Sequence, residues 1–391
     1  MSVQLRRACG TGLSARRPVM RIEGLDAYRF PVPFRMVFRH ASASRSESSN
    51  VIVAARAPDG VTGYGEGCPR EYVTGESVDT AVAFITKHKL SLIRHVEGLG
   101  GLLAWIQAHD DEIDASPAAF CGLEIAVLDL LGKFEQRPIE DLLGVSRLTG
   151  SYRYSAVLGE ASLSAYQRQA QQYWEMGFRD LKVKVSGDAK KDRRKLALLT
   201  GQGDTDLRIR LDANNLWRDA ADAIGYLKSL RTHVFAIEEP LRSGDLEGFR
   251  QVARECAVKV ILDESLVRTR QLKALDDPEC WIVNLRVSKM GGIIRSLELA
   301  QEAVRRGIGL IVGAQVGETS ILTRASLAVM NEHRQSLVAA EGAFGTLLLE
   351  QDLTEPCLMF GPEGALKVGS VLDPASPGLG LEVREDLLIP A

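Results

Sequence analysis

The feature that most constrains this chain is a ladder of short apolar segments, each closed by a charged residue. They read LKVKV (Leu181 to Val185), IRLDAN (Ile209 to Asn214), FAIEEP (Phe235 to Pro240), VILDES (Val260 to Ser265) and IVNLRVSKMGG (Ile282 to Gly292). Their charged tips are Lys184, Asp212, Glu238, Asp263 and Lys289, successive tips standing 25 to 28 residues apart. Helical patterns such as DAADAIGYLKSL and GDLEGFRQVARE fill the gaps, as does TRQLKALDD after the fourth segment. Short β-rich runs alternating with helices imply parallel β-α-β units. From SYRYSAVLG to LVAAEG there are eight strand candidates and seven intervening helices. Over roughly 200 residues that count implies a closed barrel rather than an open sheet.

The 391 residues leave room for a second domain. From Arg21 the pattern is extended, with Pro58-Asp59-Gly60 as a turn between two β-rich runs, which predicts an antiparallel meander. The polar stretch Phe34 to Ser49 lacks periodicity and reads as a long loop, a candidate lid. Three helical patterns follow from Gly75, the third apolar over most of its circumference and therefore buried on more than one side. Glu124 and Asp129 on that helix read as structural pairs. The tail, Ala365 to Ala391, is expected to return to the meander. The expected organisation is an extension over 1–19, an α+β capping domain over 20–145 plus about 365–391, and a barrel over 146–364.

A formal net charge of −3 without a basic stripe argues against nucleic acid and anionic membranes as partners. The longest apolar runs fall short of a membrane span. Six cysteines, scattered and without a C-x-x-C pair, argue against a disulfide framework or a zinc site and for a reducing, cytoplasmic location. Arg6, Arg7, Arg16 and Arg17 precede Met20 without an apolar segment, so 1–19 reads as a disordered extension or an upstream start, with organelle targeting as the alternative, rather than as a secretory signal.

Active sites of such barrels lie at the C-terminal strand ends, so Asp212, Glu238 and Asp263 should converge. Three bare carboxylates in one place repel, and a hard divalent cation such as Mg²⁺, which prefers oxygen ligands, resolves the repulsion. The plainer alternative is that each acid caps a helix or makes a surface pair. Period-2 alternation puts Lys182 and Lys184 on one face of their strand, and Lys289 ends the strand after Asp263. Buried lysines beside other cations can serve as general bases, although a role as structural counter-ions is the alternative.

The ordered set K-x-K, D-A-N, E-E-P, D-E-S and K-M-G-G resembles the enolase superfamily, specifically its muconate-lactonising subgroup. The likeness runs from about Arg21 to the tail and includes G-Y-G-E-G at Gly63 to Gly67. It implies a modified (β/α)7β barrel with an N-terminal α+β cap completed by the C-terminal segment. It further implies Asp212, Glu238 and Asp263 as ligands of Mg²⁺ (Mn²⁺ being an alternative), with Lys184 and Lys289 as acid/base groups on opposite faces and Lys182 as the neighbour that tunes Lys184. The shared first step is removal of the proton α to a substrate carboxylate, giving an enediolate whose charge the cation stabilises. Asn214 is expected to support a ligand or a bound water, and Glu239 and Glu264 to turn away from the metal and stand behind the ligands.

Gln315 and Glu341 continue the ladder, each 26 residues beyond the previous rung, and Glu318 lies close by. With Arg39, His40 and Arg45 of the suspected lid, they are the candidate substrate-binding residues. Dipeptide epimerases of the subgroup usually carry Asp-x-Asp on the eighth strand, where this chain has Glu341-Gly342-Ala343. An unmodified dipeptide is therefore a poor fit, although Glu341 alone could hold a cation. Lysines on both faces favour a racemase or epimerase of an amino-acid derivative (a dipeptide or N-substituted amino acid), acting on a small-molecule carboxylate. A muconate-type cycloisomerase and a dehydratase of a β-hydroxy acid are the alternatives, and a binding module without catalysis is disfavoured by the intact ladder. A homo-oligomer is the expectation for this subgroup.

Overall fold

The structure is a computed structural model that describes residues 20–40, 43–159, 161–201 and 206–391; the side chains of 36–40 and 43–45 are outside the described set. The expected extension over 1–19 lies outside the described residues.

Strands β1 (Gly24–His40), β2 (Ala43–Arg56) and β3 (Thr62–Gly67) form an antiparallel sheet. The stretch expected as a loop between Phe34 and Ser49 is instead the far end of the β1–β2 hairpin, with a register shift between Pro33 and Phe38. At its base, Arg35 N–H donates to Leu348 O (2.8 Å) and Glu350 N–H to Pro33 O (3.0 Å), joining the hairpin to the loop after the last barrel strand. The tail returns as expected: strand β12 (Ile389–Pro390) pairs antiparallel with β1 at Tyr28 and Arg29.

Helices α1 (Val78–His95), α2 (Leu99–Ala108), α3 (Asp110–Ala115) and α4 (Pro117–Glu135) cover this sheet. α4 is buried almost all round, as its sequence predicts, and period 2 explains how closely β3 meets it. Gly63, Gly65 and Gly67 face α4, and a Cβ on any of them would come within 2.1–2.4 Å of helix backbone atoms. Strand and helix thus touch backbone to backbone, a separation only glycine permits.

The barrel strands are β4 (Ala156–Leu158), β5 (Asp180–Lys184), β6 (Arg208–Asp212), β7 (Ala236–Glu238), β8 (Lys259–Leu262), β9 (Trp281–Arg286), β10 (Gly309–Gly313) and β11 (Leu337–Ala340). They pair in sequence order, all parallel. Ser155 N–H donates to Ala340 O (2.8 Å), bridging the first strand to the last. Helices α5 (Leu163–Glu175), α6 (Ala189–Thr200), α7 (Ala220–Leu230) and α8 (Leu246–Cys256) follow the first four strands. The helix expected over TRQLKALDD is a 3-10 turn, Thr269–Ala274, too short to cover a strand as the others do. The short α9 (Val287–Met290), then α10 (Ile293–Arg305) and α11 (Ser320–Glu332), complete the ring. No helix among the described residues is long and apolar enough to cross a membrane. No disulfide joins the described cysteines.

Buried carboxylates tie the N-terminal layer to the barrel. Glu66 on β3 accepts from Thr319 N (3.0 Å), Thr319 Oγ1 (2.6 Å) and Leu322 N (3.2 Å) at the start of α11. Glu124 accepts from Ile293 N (2.6 Å) and Ile294 N (2.9 Å) at the start of α10. Each meets the orphan amides of a helix N-terminus, where negative charge is favoured. Glu124 is therefore structural, as expected, and so is Asp129, which accepts from Tyr64 N, Lys133 Nζ and Leu379 N.

The backbone contact between β3 and α4 predicts that Gly65→Ala destabilises the protein by about 1–3 kcal/mol. Gly225→Ala, in helix α7 with nothing near the added methyl, should instead stabilise it by up to about 1 kcal/mol. Urea denaturation of both variants checks the pair.

Candidate active site

Two layers fill the barrel. The lower is apolar: Ala236, Ile261, Ile282, Ile311 and Ala339 form a small buried cluster of their own. One or two inward positions further along the same strands, every residue turns polar. Lys184 pairs in register with Asp212, and Asp212 with Glu238, so three charged tips stand side by side on adjacent strands. Asp263 follows at the end of β8. The convergence expected from the ladder is present, and all three acids are buried.

These carboxylates are not bare. Lys182 Nζ lies 2.8 Å from Glu238 Oε1, 3.3 Å from Asp212 Oδ2 and 3.4 Å from Glu341 Oε1. Lys184 Nζ donates to Asp212 Oδ2 (2.8 Å) and Asn214 Oδ1 (2.7 Å). Lys289 Nζ donates to Asp263 Oδ1 (2.9 Å), Asp263 O (2.8 Å) and Asn284 O (2.7 Å). Repulsion between the acids is thus relieved by lysines, and repulsion by itself does not demand a metal. Burial works against charge on Lys182, but Asp212, Glu238 and Glu341 outweigh it and hold the ammonium well above the ordinary lysine range. Burial works against charge on Asp212 and Asp263 as well, yet Lys182 and Lys184 pull the first below the usual carboxylate range, and Arg286 and Lys289 the second. Glu238 goes the other way, to about 8, because burial and its acidic neighbours exceed the help of Lys182.

One atom of the acid cluster is left over. Glu238 Oε2 is buried with no hydrogen-bond partner among the described residues. A buried carboxylate oxygen so placed carries a desolvation cost that a cation would remove. Asp212 and Asp263 on the flanking strands complete an all-oxygen donor set of the kind Mg²⁺ prefers, so the residues fit such an ion.

A cavity of about 750 Å³ opens above this floor. Lys182, Lys184, Asp212, Asn214 and Arg286 line its polar end, and Leu347, Leu348 and Leu349 lie in its apolar wall. Gln315, Glu318 and Glu341 also line it, as the ladder predicts. Glu341 is less available than expected. Arg210 donates to its Oε1 (2.7 Å), Lys182 sits at 3.4 Å, and the two cations hold it at about 2 despite burial. Its charge is therefore already balanced. Arg39 and Arg45 lie on the hairpin, where their side chains are outside the described set, as is that of His40.

Two expectations need correction. Lys289 does not end a strand: β9 stops at Arg286, and Lys289 sits in the turn α9, fully buried beneath the cavity rather than in its wall. Glu264 does not turn away, but lines the cavity, because β8 ends at Leu262 and strand alternation lapses there. Asn214 supports Lys184 directly, and its N–H donates to Asp212 Oδ1 (3.2 Å). Glu239 behaves as expected, accepting from Asp263 N (2.7 Å), Ser265 N (2.8 Å) and Ser265 Oγ (2.7 Å), which fixes the turn that presents Asp263.

Sequence reasoning missed two arginines. Arg286 donates to Asp263 Oδ2 and to Gln315 Oε1 (2.8 Å). Arg210 is completely buried between Asp180 and Glu341. The signal was period 2: Arg210 stands two before Asp212, and Ile282, Asn284 and Arg286 share the inward face of β9.

Two family patterns match the chain. The mandelate racemase / muconate lactonizing enzyme N-terminal domain matches residues 25–144. The enolase C-terminal domain-like pattern matches 165–387. The N-succinyl-L-Arg/Lys racemase of Bacillus cereus is 26% identical over 94% of this chain and 97% of its own, and its crystal structure superposes with a TM-score of 0.80. The hydrophobic dipeptide epimerase of Enterococcus faecalis is 27% identical over 77% of this chain and 84% of its own. Its structure, a complex with Mg and L-Leu-L-Tyr, covers 93% of this chain and all of that one at a TM-score of 0.79. Muconate lactonizing enzyme from Pseudomonas fluorescens is a likeness of fold, 23% identical over 95% of this chain and 98% of its own, with a TM-score of 0.83.

The buried Arg210–Glu341 pair predicts that Arg210→Met costs about 3 kcal/mol or more, since it strips a buried carboxylate of a partner. The double variant Arg210→Met, Glu341→Met should recover part of that loss. Equilibrium denaturation of the two single variants and the double variant measures the coupling.

Proposed function

The chain belongs to the mandelate racemase and muconate lactonizing enzyme family of the enolase superfamily, and from that premise we propose that it is an isomerase that racemises or epimerises an amino-acid derivative at the carbon α to its carboxylate. The observation that carries the reading is the rung Lys184–Asp212–Glu238 at the polar end of the cavity. A proton-transfer group and carboxylates able to hold a cation stand there within reach of one bound molecule. The relatives named as a racemase of N-succinyl-Arg/Lys and an epimerase of hydrophobic dipeptides support the same reaction class. Muconate lactonizing enzymes are matched as solved structures at 23–26% identity, so cycloisomerisation is the second reading, and the named racemase and epimerases favour the first.

In this reading Lys184, as the neutral amine, takes the α proton, while the C–H electron pair moves toward the substrate carboxylate. A proton returned to the opposite face from Lys289 gives the other stereoisomer. Lys184 ends β5 and Lys289 lies in the turn after β9, the second and sixth of eight strands, so the two lysines stand on opposite sides of the barrel. Lys289 shares Asp263 with Arg286 and also donates to two carbonyls, so it takes part only by giving up some of these bonds. Asn214 orients Lys184, and Glu239 fixes the turn carrying Asp263. Asp212, Glu238 and Asp263 would hold a divalent cation, Mg²⁺ or Mn²⁺, which when bound supplies positive charge to a substrate carboxylate whose negative charge grows as the α proton leaves. Arg286 holds Asp263 and Gln315 in place at the rim.

The substrate class follows from what Glu341 is already doing. With its charge balanced by Arg210 and Lys182, it offers little to a substrate ammonium. That favours an N-acylated amino acid over a free dipeptide. The apolar wall at Leu347 to Leu349 suits the body of such a molecule.

The test is a screen in D₂O with Mg²⁺ against N-acyl amino acids, dipeptides, proline derivatives and muconates. Deuterium is expected at the α carbon of an N-acyl amino acid, with no change of constitution. Lactone formation or loss of water instead would refute the isomerase reading. Chelation should abolish exchange and added Mg²⁺ restore it, and Asp263→Asn should weaken Mg²⁺ binding measured by calorimetry; unchanged affinity would remove Asp263 from the ligand set.

A further inference from the structure

Far from the barrel floor, the corner where α1, α2 and α3 meet gathers two imidazoles and a carboxylate. His88 lies on the buried face of α1, His109 directly follows α2, and Glu112 sits in α3. One potential ligand atom from each lies within 4.8 Å of the other two. The His88 side chain is 6% exposed, and its Nε2 stands 3.1 Å from Glu112 Oε2. The pair is charged only when the ring is protonated, and Nε2 is buried with no hydrogen-bond partner among the described residues. A buried ring nitrogen aimed at a carboxylate and left without a bond is costly unless something else joins them.

The second imidazole is set up as a ligand. His109 Nδ1 lies 2.9 Å from the Trp105 carbonyl, a contact that needs the proton on Nδ1 and leaves the lone pair on Nε2. Trp105 stacks on His109 at 3.9 Å and meets His88 edge-on at 5.5 Å, fixing both rings. Burial lowers the His88 pKa and so favours the neutral imidazole that a metal requires. The isomerase reading uses none of these residues.

We propose that His88, His109 and Glu112 form a binding site for a borderline divalent metal, Zn²⁺ above all, which clamps α1, α2 and α3 together. Two nitrogens and one carboxylate oxygen, with a fourth position open to water, match zinc coordination and not the all-oxygen preference of Mg²⁺. The expectation against zinc weighed cysteine ligands alone, and imidazoles escaped it. The clamp has a consequence for the barrel: Asp114 in α3 pairs with Arg295 of α10, so fixing α3 steadies that contact. One group competes. Lys87 Nζ donates to Glu112 Oε2 from the solvent side, and a bound dication must share or displace it.

The test uses the full chain, freed of metal by chelation and then held in excess Mg²⁺ so that the barrel carboxylates are occupied. Titration with Zn²⁺ by calorimetry should show one equivalent bound, with the melting temperature raised by several degrees as expected for a ligand of the folded state. His109→Gln and Glu112→Gln should each weaken binding at least tenfold, and Co²⁺ should give visible tetrahedral bands that His109→Gln removes. Lys87→Gln keeps all three ligands and should tighten binding. Absence of zinc uptake under Mg²⁺, equal affinity in His109→Gln and Glu112→Gln, or no gain in Lys87→Gln would overturn the site.

Discussion

Everything at the centre of this protein depends on the register of two parallel ladders. Lys184 sits opposite Asp212 and Asp212 opposite Glu238, and a slip of one residue would turn each of them out of the barrel. Given that register, the barrel separates by height into an apolar plug and a polar floor. Charges in the floor are deeply buried, and such groups are tolerated only when each has a partner. Lys182 provides much of that pairing by touching Asp212, Glu238 and Glu341 at once. Arg210 and Arg286 complete it from either side. Among the polar atoms of the floor left without a hydrogen-bond partner in the described residues, Glu238 Oε2 is the oxygen of the three converging acids, and a cation there would satisfy it.

The same chemistry fastens the N-terminal layer to the barrel. Glu66 and Glu124 reach across to the amide ends of α11 and α10. Arg324 on α11 makes a fully buried two-pronged pair with Glu140 (2.7 and 2.9 Å). Helix α4, with glycines of β3 pressed against its backbone, sits between sheet and barrel. Joints of this kind fix relative position as well as adding stability, because a buried carboxylate that loses its amide partners is left desolvated. The loop carrying Leu347 to Leu349 and the base of the hairpin are hydrogen-bonded to one another, so the two layers share the wall of the cavity.

Much of this was legible in the sequence because a repeating unit writes its period into the chain. The tips at Lys184, Asp212, Glu238 and Asp263 gave the barrel and the convergence, and Gln315 and Glu341 followed by extrapolation. What stayed hidden was whatever lay one rung below the tips or outside regular structure. Arg210 and Arg286 share the inward face of their strands, but each precedes a more conspicuous residue and draws less attention. Lys289 and Glu264 were misplaced because alternation was carried past the true strand ends at Arg286 and Leu262. The hairpin beyond Pro33 is polar and lacks alternation in its sequence, so it reads as a loop. The His88–His109–Glu112 corner joins residues on three helices and has no local signature.

The central claim is that protons move on two faces of one substrate carbon, through Lys184 and Lys289. Its most direct test is α-proton exchange in D₂O, followed for each stereoisomer separately in the single variants Lys184→Ala and Lys289→Ala. Each variant should lose exchange of one stereoisomer by at least about 10²-fold, a usual range for removing a general acid or base, and the two losses should fall on opposite stereoisomers. Full exchange of both stereoisomers in either variant would contradict the account.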